Sequence, residues 1–202
     1  MTLQCERTWA VKETIRLVVV LTVFCAVAAL LLAWTDSATK ARIEQERKAE
    51  TIEALGRVLP PCDNDLLADA RIVKDGGTEW TFYAGRKTGT FVGAAFQSEA
   101  AGYGGPIKLL VGLLPDGALN GVQILAADKE TPGLGSKVSK PEFLRQFAGQ
   151  SAADAGWAAV KRDGGQIQAI TGATISSRAV ARAVRMGLEV YTKHGPEIRG
   201  AN

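Results

Sequence analysis

The chain has 202 residues, with 24 Lys and Arg against 21 Asp and Glu and a formal net charge of +3. That length holds a membrane segment and one globular domain and argues against a second large domain. The near-balanced charge, with no basic block and no aromatic-basic pattern, argues against a nucleic-acid partner. One histidine, His194, lies between Lys193 and Gly195. It reads as a solvated helix-end cation, so a histidine-dependent triad is a poor reading. Of three cysteines, Cys5 precedes the long apolar run, Cys25 lies within it and Cys62 alone follows. The later domain therefore has neither an internal disulfide framework nor a Cys-rich metal motif.

In chain order, residues 1–16 read as a short cytoplasmic tail and residues 17–34 as a transmembrane helix. No charge falls between Leu17 and Trp34, and at about 1.5 Å per residue the run nearly spans a bilayer core. Trp34 suits an interfacial anchor. A cleavable signal peptide is the alternative, but its apolar region is normally shorter and no small-x-small site follows at once. Phe24 before Cys25 argues against lipoprotein processing. Arg7, Lys12 and Arg16 precede the run, and Lys40, Arg42, Arg47 and Lys48 follow it among Glu44, Glu46 and Glu50. Arg16 abuts the apolar run, which favours an inside N-terminus and an outside domain. Residues 35–61 read as a charged, solvated helical stalk ended by Pro60 and Pro61.

Residues 62–202 read as the outer domain. Short runs with period-two character cover 71–73, 80–83, 91–96, 107–114 and 119–125, separated by turn signals at Asp75-Gly76-Gly77, Gly85, Gly102 to Pro106 and Pro115-Asp116-Gly117. They predict a mostly antiparallel sheet, with Trp80, Phe82 and Phe91 in its core. Glycines and Pro132 make 129–137 a loop. Pro141 opens a short helix through Phe143, Leu144 and Phe147. Gln166 to Ile170 alternates like a last strand. From Ile175 to Lys193, Ile175, Ala179, Val180, Ala183, Val184 and Leu188 form an apolar helical face, with Arg178, Arg182 and Arg185 elsewhere. The fold class is α+β: one N-terminal transmembrane helix followed by a mostly antiparallel sheet with flanking helices.

Between that strand and that helix stands Thr171-Gly172-Ala173-Thr174-Ile175-Ser176-Ser177, with four hydroxyls at a flexible turn. Small residues let a ligand approach the backbone, and the open N–H groups of a first helical turn favour an anion. An ordinary helix cap has the same composition.

Glu130-Thr131-Pro132-Gly133-Leu134-Gly135 and the TGATIS stretch together, behind one transmembrane helix, resemble the G subunit of Rnf electron-transport complexes. Its relative is the C subunit of the sodium-pumping NADH:quinone oxidoreductase. The resemblance spans nearly the whole chain, including Gly102-Tyr103-Gly104-Gly105-Pro106-Ile107 and Asp63-Asn64-Asp65-Leu66-Leu67. It implies an FMN-binding domain with FMN joined covalently, by a phosphoester, to Thr174. Thr171, Gly172, Ala173, Ser176 and Ser177 would surround the attachment, with Arg178 one turn on able to help neutralise the phosphate. Glu130, Thr131, Pro132, Gly133, Leu134 and Gly135 would lie along the ring and ribityl chain. It further implies maturation by an ApbE-type flavin transferase, partner subunits of an Rnf-type complex and the lipid bilayer, and placement in a bacterial inner membrane with the domain on the periplasmic side. The assembly would couple ferredoxin:NAD⁺ oxidoreduction to Na⁺ or H⁺ movement. Gln168 departs from the acidic residue often found three positions before the first threonine of the motif. Two other readings stand beside this one: a membrane-anchored assembly or sensor module in which the turn is only a cap, and the corresponding flavoprotein of the quinone-reducing complex.

Overall fold

A first helix, α1, runs Leu3–Val58 without a break, as expected of a stretch with no proline and no glycine before Gly56. The structure, a computed structural model, describes residues 3–200, with the side chains of 3–14 and Ala41 outside what is described. The side chains of Arg7 and Lys12 of the orientation reading, and the whole of Met1 and Thr2 of the expected tail, thus lie outside what is described. The apolar part of α1 is long and apolar enough to cross a membrane. Leu17, Phe24, Leu30, Leu32 and Trp34 are all exposed, so the helix is apolar all round and calls for a lipid or protein cover. Its threonines return their hydroxyls to the helix: Thr22 Oγ1 donates to the Val18 carbonyl at 2.8 Å and Thr35 Oγ1 to that of Leu31 at 2.8 Å. That bond is the one available to a hydroxyl where water is absent.

The chain divides into two compact units after Lys48. In the second, five strands pair in sequence order among the described residues: β1 (Ala70–Asp75), β2 (Thr78–Lys87), β3 (Thr90–Ala101), β4 (Pro106–Leu113) and β5 (Leu119–Ala126). Every pairing is antiparallel. The Gly76-Gly77 turn has φ of 59° and 81°, the geometry a two-residue hairpin needs to match strand twist. Gly85 is not a turn, contrary to the sequence expectation. It sits inside β2 opposite Gly93, next to a register shift, and the strand continues to Lys87. The turn falls instead at Thr88-Gly89, with φ of 51° and 79°.

Both faces of the sheet are covered. On one lies α3 (Thr174–Arg199), whose Val180, Val184 and Leu188 are buried with Phe82, Phe96, Leu109, Val111 and Leu113. Trp80 is buried with them, and Phe91 is half-buried against them. On the other face the end of α1 and the segment after it bury Ala54, Leu55, Val58 and Leu59 against Tyr83, Ala95 and Leu110. The last turns of the segment read as a solvated stalk are therefore part of the domain core. Glycines make room for them: a Cβ on Gly112 would overlap the Val58 carbonyl, and one on Gly93 would meet Leu59 and Pro60 at 3.3 Å. Asn120 Nδ2 donates to that Val58 carbonyl at 2.8 Å.

The connection from β5 to α3 carries α2 (Pro141–Leu144), with Pro141 in its first turn, and several 3-10 turns. Gln166 to Ile170 does not form a sixth strand. Ile167 makes a single parallel bridge to Val160. The Gln168 N–H donates to Gln146 Oε1 at 2.7 Å and its carbonyl accepts from Gln146 Nε2 at 3.3 Å. A side-chain amide thus stands where a neighbouring strand would be.

Candidate functional site

The start of α3 is set from within. The Ala173 N–H donates to the Ile170 carbonyl at 2.9 Å across a turn with Gly172 at φ 79°, a backbone conformation open chiefly to glycine. Ser177 Oγ accepts from the Ile170 N–H at 3.0 Å and donates to the Ala173 carbonyl at 2.9 Å. The N-cap position is held by Ala173, with no side-chain cap, and Thr174 is the first helical residue. A helix-cap reading of the motif therefore finds no hydroxyl at the capping position. The first-turn N–H groups keep their positive potential toward whatever lies in front of them.

In front of them is a cleft of about 510 Å³, lined by Tyr103, Glu130, Thr131, Leu134, Gly135, Gly172, Ala173, Thr174, Ile175 and Ser176. Its size is that of a small-molecule or cofactor site. Three loops build it. The first is the Gly102–Gly105 turn between β3 and β4, which lies so close on Lys129 and Glu130 that a Cβ on Gly102 or Gly104 would overlap them. The second is the loop after β5, where the Leu134 and Ser136 N–H groups both donate to the Thr131 carbonyl at 3.2 Å and Gly133 N–H donates to Ser136 Oγ at 3.0 Å. The third is the 171–176 turn itself.

The loops meet on Glu130, which is only 4% exposed. Its Oε1 accepts from the N–H groups of Tyr103 at 2.8 Å and Gly104 at 3.2 Å, and its Oε2 from Ser176 Oγ at 2.6 Å. Gly135 passes so close that a Cβ would overlap Oε2.

The sequence-predicted residues separate accordingly. Glu130, Thr131, Leu134, Gly135, Gly172, Ala173, Thr174 and Ser176 come together around the cleft, while Thr171, Pro132 and Gly133 are exposed outside its lining. Ser177 is buried behind the turn. Ile175, expected on the apolar face of the helix, instead stands 49% exposed at the rim. Tyr103, 70% exposed and in the lining, belongs to the Gly102–Ile107 stretch that carries part of the resemblance but is not among the expected site residues, although an aromatic among glycines was an available signal. Arg178 is not in the lining. Its guanidinium binds Asp163, with one contact at 2.9 Å, and pins the 3-10 turn Lys161–Asp163 to α3. That hydrogen bond holds the Asp163 carboxyl below the ordinary aspartate range and the Arg178 guanidinium above its own. No group of residues able to hold a metal ion occurs among the described residues.

A hydroxyl-bearing, glycine-turned helix start facing a small-molecule cleft is an arrangement that suits an anionic ligand, and comparison with known proteins narrows the class. A family model described as an FMN-binding domain matches residues 102–189, and one described as the RnfG N-terminal region matches residues 1–58. The G subunit of the ion-translocating oxidoreductase complex of Cereibacter sphaeroides is 36% identical over 183 residues, covering 87% of this chain and 83% of that protein. Its counterpart in Stutzerimonas stutzeri is 37% identical, covering 84% and 77%. The solved C subunit of the Na⁺-translocating NADH-quinone reductase from Parabacteroides distasonis shares the fold with a TM-score of 0.56, covering 80% of this chain and 98% of that one at 19% identity. The chain belongs to the family of G subunits of ion-translocating oxidoreductase complexes.

Proposed function

We propose that this chain is the electron-transfer flavoprotein of a membrane-bound, Rnf-type ferredoxin:NAD⁺ oxidoreductase that moves Na⁺ or H⁺. In this reading FMN is joined through its phosphate to Thr174 Oγ1. The observation that carries the attachment point is the different fate of the motif's four hydroxyls. Ser176 is engaged by Glu130, and Ser177 by Ile170 and Ala173. Thr171 is exposed outside the cleft, whereas Thr174 lines it and its hydroxyl has no hydrogen-bond partner among the described residues.

The donor set fits a phosphate ester. The first turn of α3 offers N–H groups and the positive end of the helix dipole, and Gly172 and Ala173 add no bulk. Walls from Tyr103, Leu134 and Ile175 offer apolar surface to a ring. FMN held there supplies one- and two-electron chemistry. The protein's part is to attach, place and shield, and no acid–base dyad is required. Thr171, Gly172, Ala173 and Ser176 shape the attachment turn. Thr131, Pro132, Gly133, Leu134 and Gly135 form the facing loop, while Ser177 and Glu130 hold the frame. Attachment is assigned to an ApbE-type flavin transferase. The apolar stretch of α1 anchors the chain in a bacterial inner membrane beside partner subunits, the outer domain lying on the periplasmic side.

Flavin fluorescence is expected to stay with the polypeptide on a denaturing gel and to vanish in Thr174→Val. Mass spectrometry of the Ile167 to Arg178 peptide from native membranes should find the added FMN on Thr174. Fluorescence that persists undiminished in Thr174→Val overturns the attachment.

A further inference from the structure

Glu130 is a buried carboxylate in the wall of the cleft, bonded to two of the loops that build it. Glu130 accepts two backbone N–H groups from the Tyr103–Gly104 turn and the Ser176 hydroxyl from the first turn of α3. The two N–H groups can only donate, so Oε1 of this carboxylate is held as an acceptor, while Oε2 meets a hydroxyl. The glycines around it, Gly102 and Gly135, have no side chain because a Cβ would overlap its oxygens. Of the roughly four acceptor sites of this side chain three are engaged by the protein, and with only 4% of Glu130 exposed little of it is left for a ligand.

We propose that Glu130 is a positioning residue rather than a flavin ligand, a charged clasp that draws the β3–β4 turn and the start of α3 onto one carboxylate. It sets the width of the cleft between Tyr103 and Thr174 and places one fixed negative charge in its wall. This proposal rests on the flavin reading for its second consequence only. A negative charge beside a flavin disfavours the electron-rich reduced form, because Coulomb interaction is weakly screened where water is excluded. Removing the charge while keeping the shape therefore raises the potential. Glutamine does this: its amide oxygen can still accept from Tyr103 and Gly104, and its NH₂ group meets a Ser176 hydroxyl that can turn to accept.

The test has two arms on the full chain in detergent. In protein made without flavin attachment, hydrogen exchange of the Tyr103 and Gly104 amides is read in wild type, Glu130→Gln, Glu130→Ala and Ser176→Ala. Protection should hold in Glu130→Gln, fall partly in Ser176→Ala and be lost in Glu130→Ala. In flavin-loaded protein, the midpoint potential of Glu130→Gln should shift positive of wild type by more than the scatter of replicate titrations. Unchanged amide protection in Glu130→Ala overturns the clasp, and an unchanged potential in fully loaded Glu130→Gln overturns the charge effect. Failure of the flavin reading shows separately, as wild-type protein that carries no covalent flavin from native membranes.

Discussion

Gly187 shows how far single atoms decide the frame behind the cleft. It faces the sheet on α3, and a Cβ there would overlap the ring of Phe96, which is itself fully buried. Two effects oppose each other in Gly187→Ala. Alanine gains about 1 kcal/mol of helix propensity, while forcing extra volume into a packed core costs about 1–3 kcal/mol. An aromatic ring fixed on all sides gives little, so the cost is expected to win and the denaturant midpoint to fall. A midpoint that rises would mean that Phe96 repacks freely. The buried hydroxyls follow the same logic of commitment. Ser98 Oγ donates to the Ala183 carbonyl at 2.8 Å, and Ser177 closes the turn before α3, so each is used by the fold before any ligand arrives.

Among elements, α3 is asymmetric in a way that matters for the site. At its C-terminal end, Arg71 from β1 donates to the Glu197 carbonyl and Arg86 from β2 to that of Arg199 at 3.0 Å, so cations meet the negative end of the helix dipole. At its N-terminal end no side chain caps Ala173, and the positive end opens on the cleft. The end of α1 acts in the opposite sense, as a structural lid on the far face of the sheet. Leu55 is completely buried there while Ile52, one turn earlier, is exposed. Leu55→Ala is therefore expected to cost about 2–5 kcal/mol and Ile52→Ala to stay within about 0.5 kcal/mol, measured by chemical denaturation of the domain. Equal effects at the two positions would show that the helix end does not pack on the sheet.

At the scale of the whole molecule, the apolar stretch of the first unit buries none of its described residues, and every buried core residue of the second lies at or beyond Ala54. A fragment of residues 49–202 should consequently be soluble and unfold in one cooperative transition. A fragment of 62–202, which the composition change at Pro60 and Pro61 suggests, lacks Leu55, Val58 and Leu59 and uncovers Tyr83, Ala95 and Leu110. Its thermal midpoint should be clearly lower, or it should fail to fold. Matching midpoints for the two fragments would remove the lid role assigned to α1.

The sequence by itself determined what depends on local pattern. Period-two runs located all five strands, an uncharged run located the apolar helix, and Pro141 marked the start of α2. The two motif loops were also legible, because glycines and hydroxyls at element ends are local signals. Tertiary structure decided what depends on distant partners. Gly85 looked like a turn because nothing local distinguishes a turn glycine from one that yields space in a strand. Gln166 to Ile170 looked like a strand because its alternation was real while its ladder was missing. Above all, the four hydroxyls of one motif were equivalent by local composition, and only the family resemblance marked Thr174 among them. Glu130 engages one, the turn engages another and solvent surrounds a third, which leaves Thr174 in the cleft, since burial and hydrogen bonding are set by residues far away in the chain.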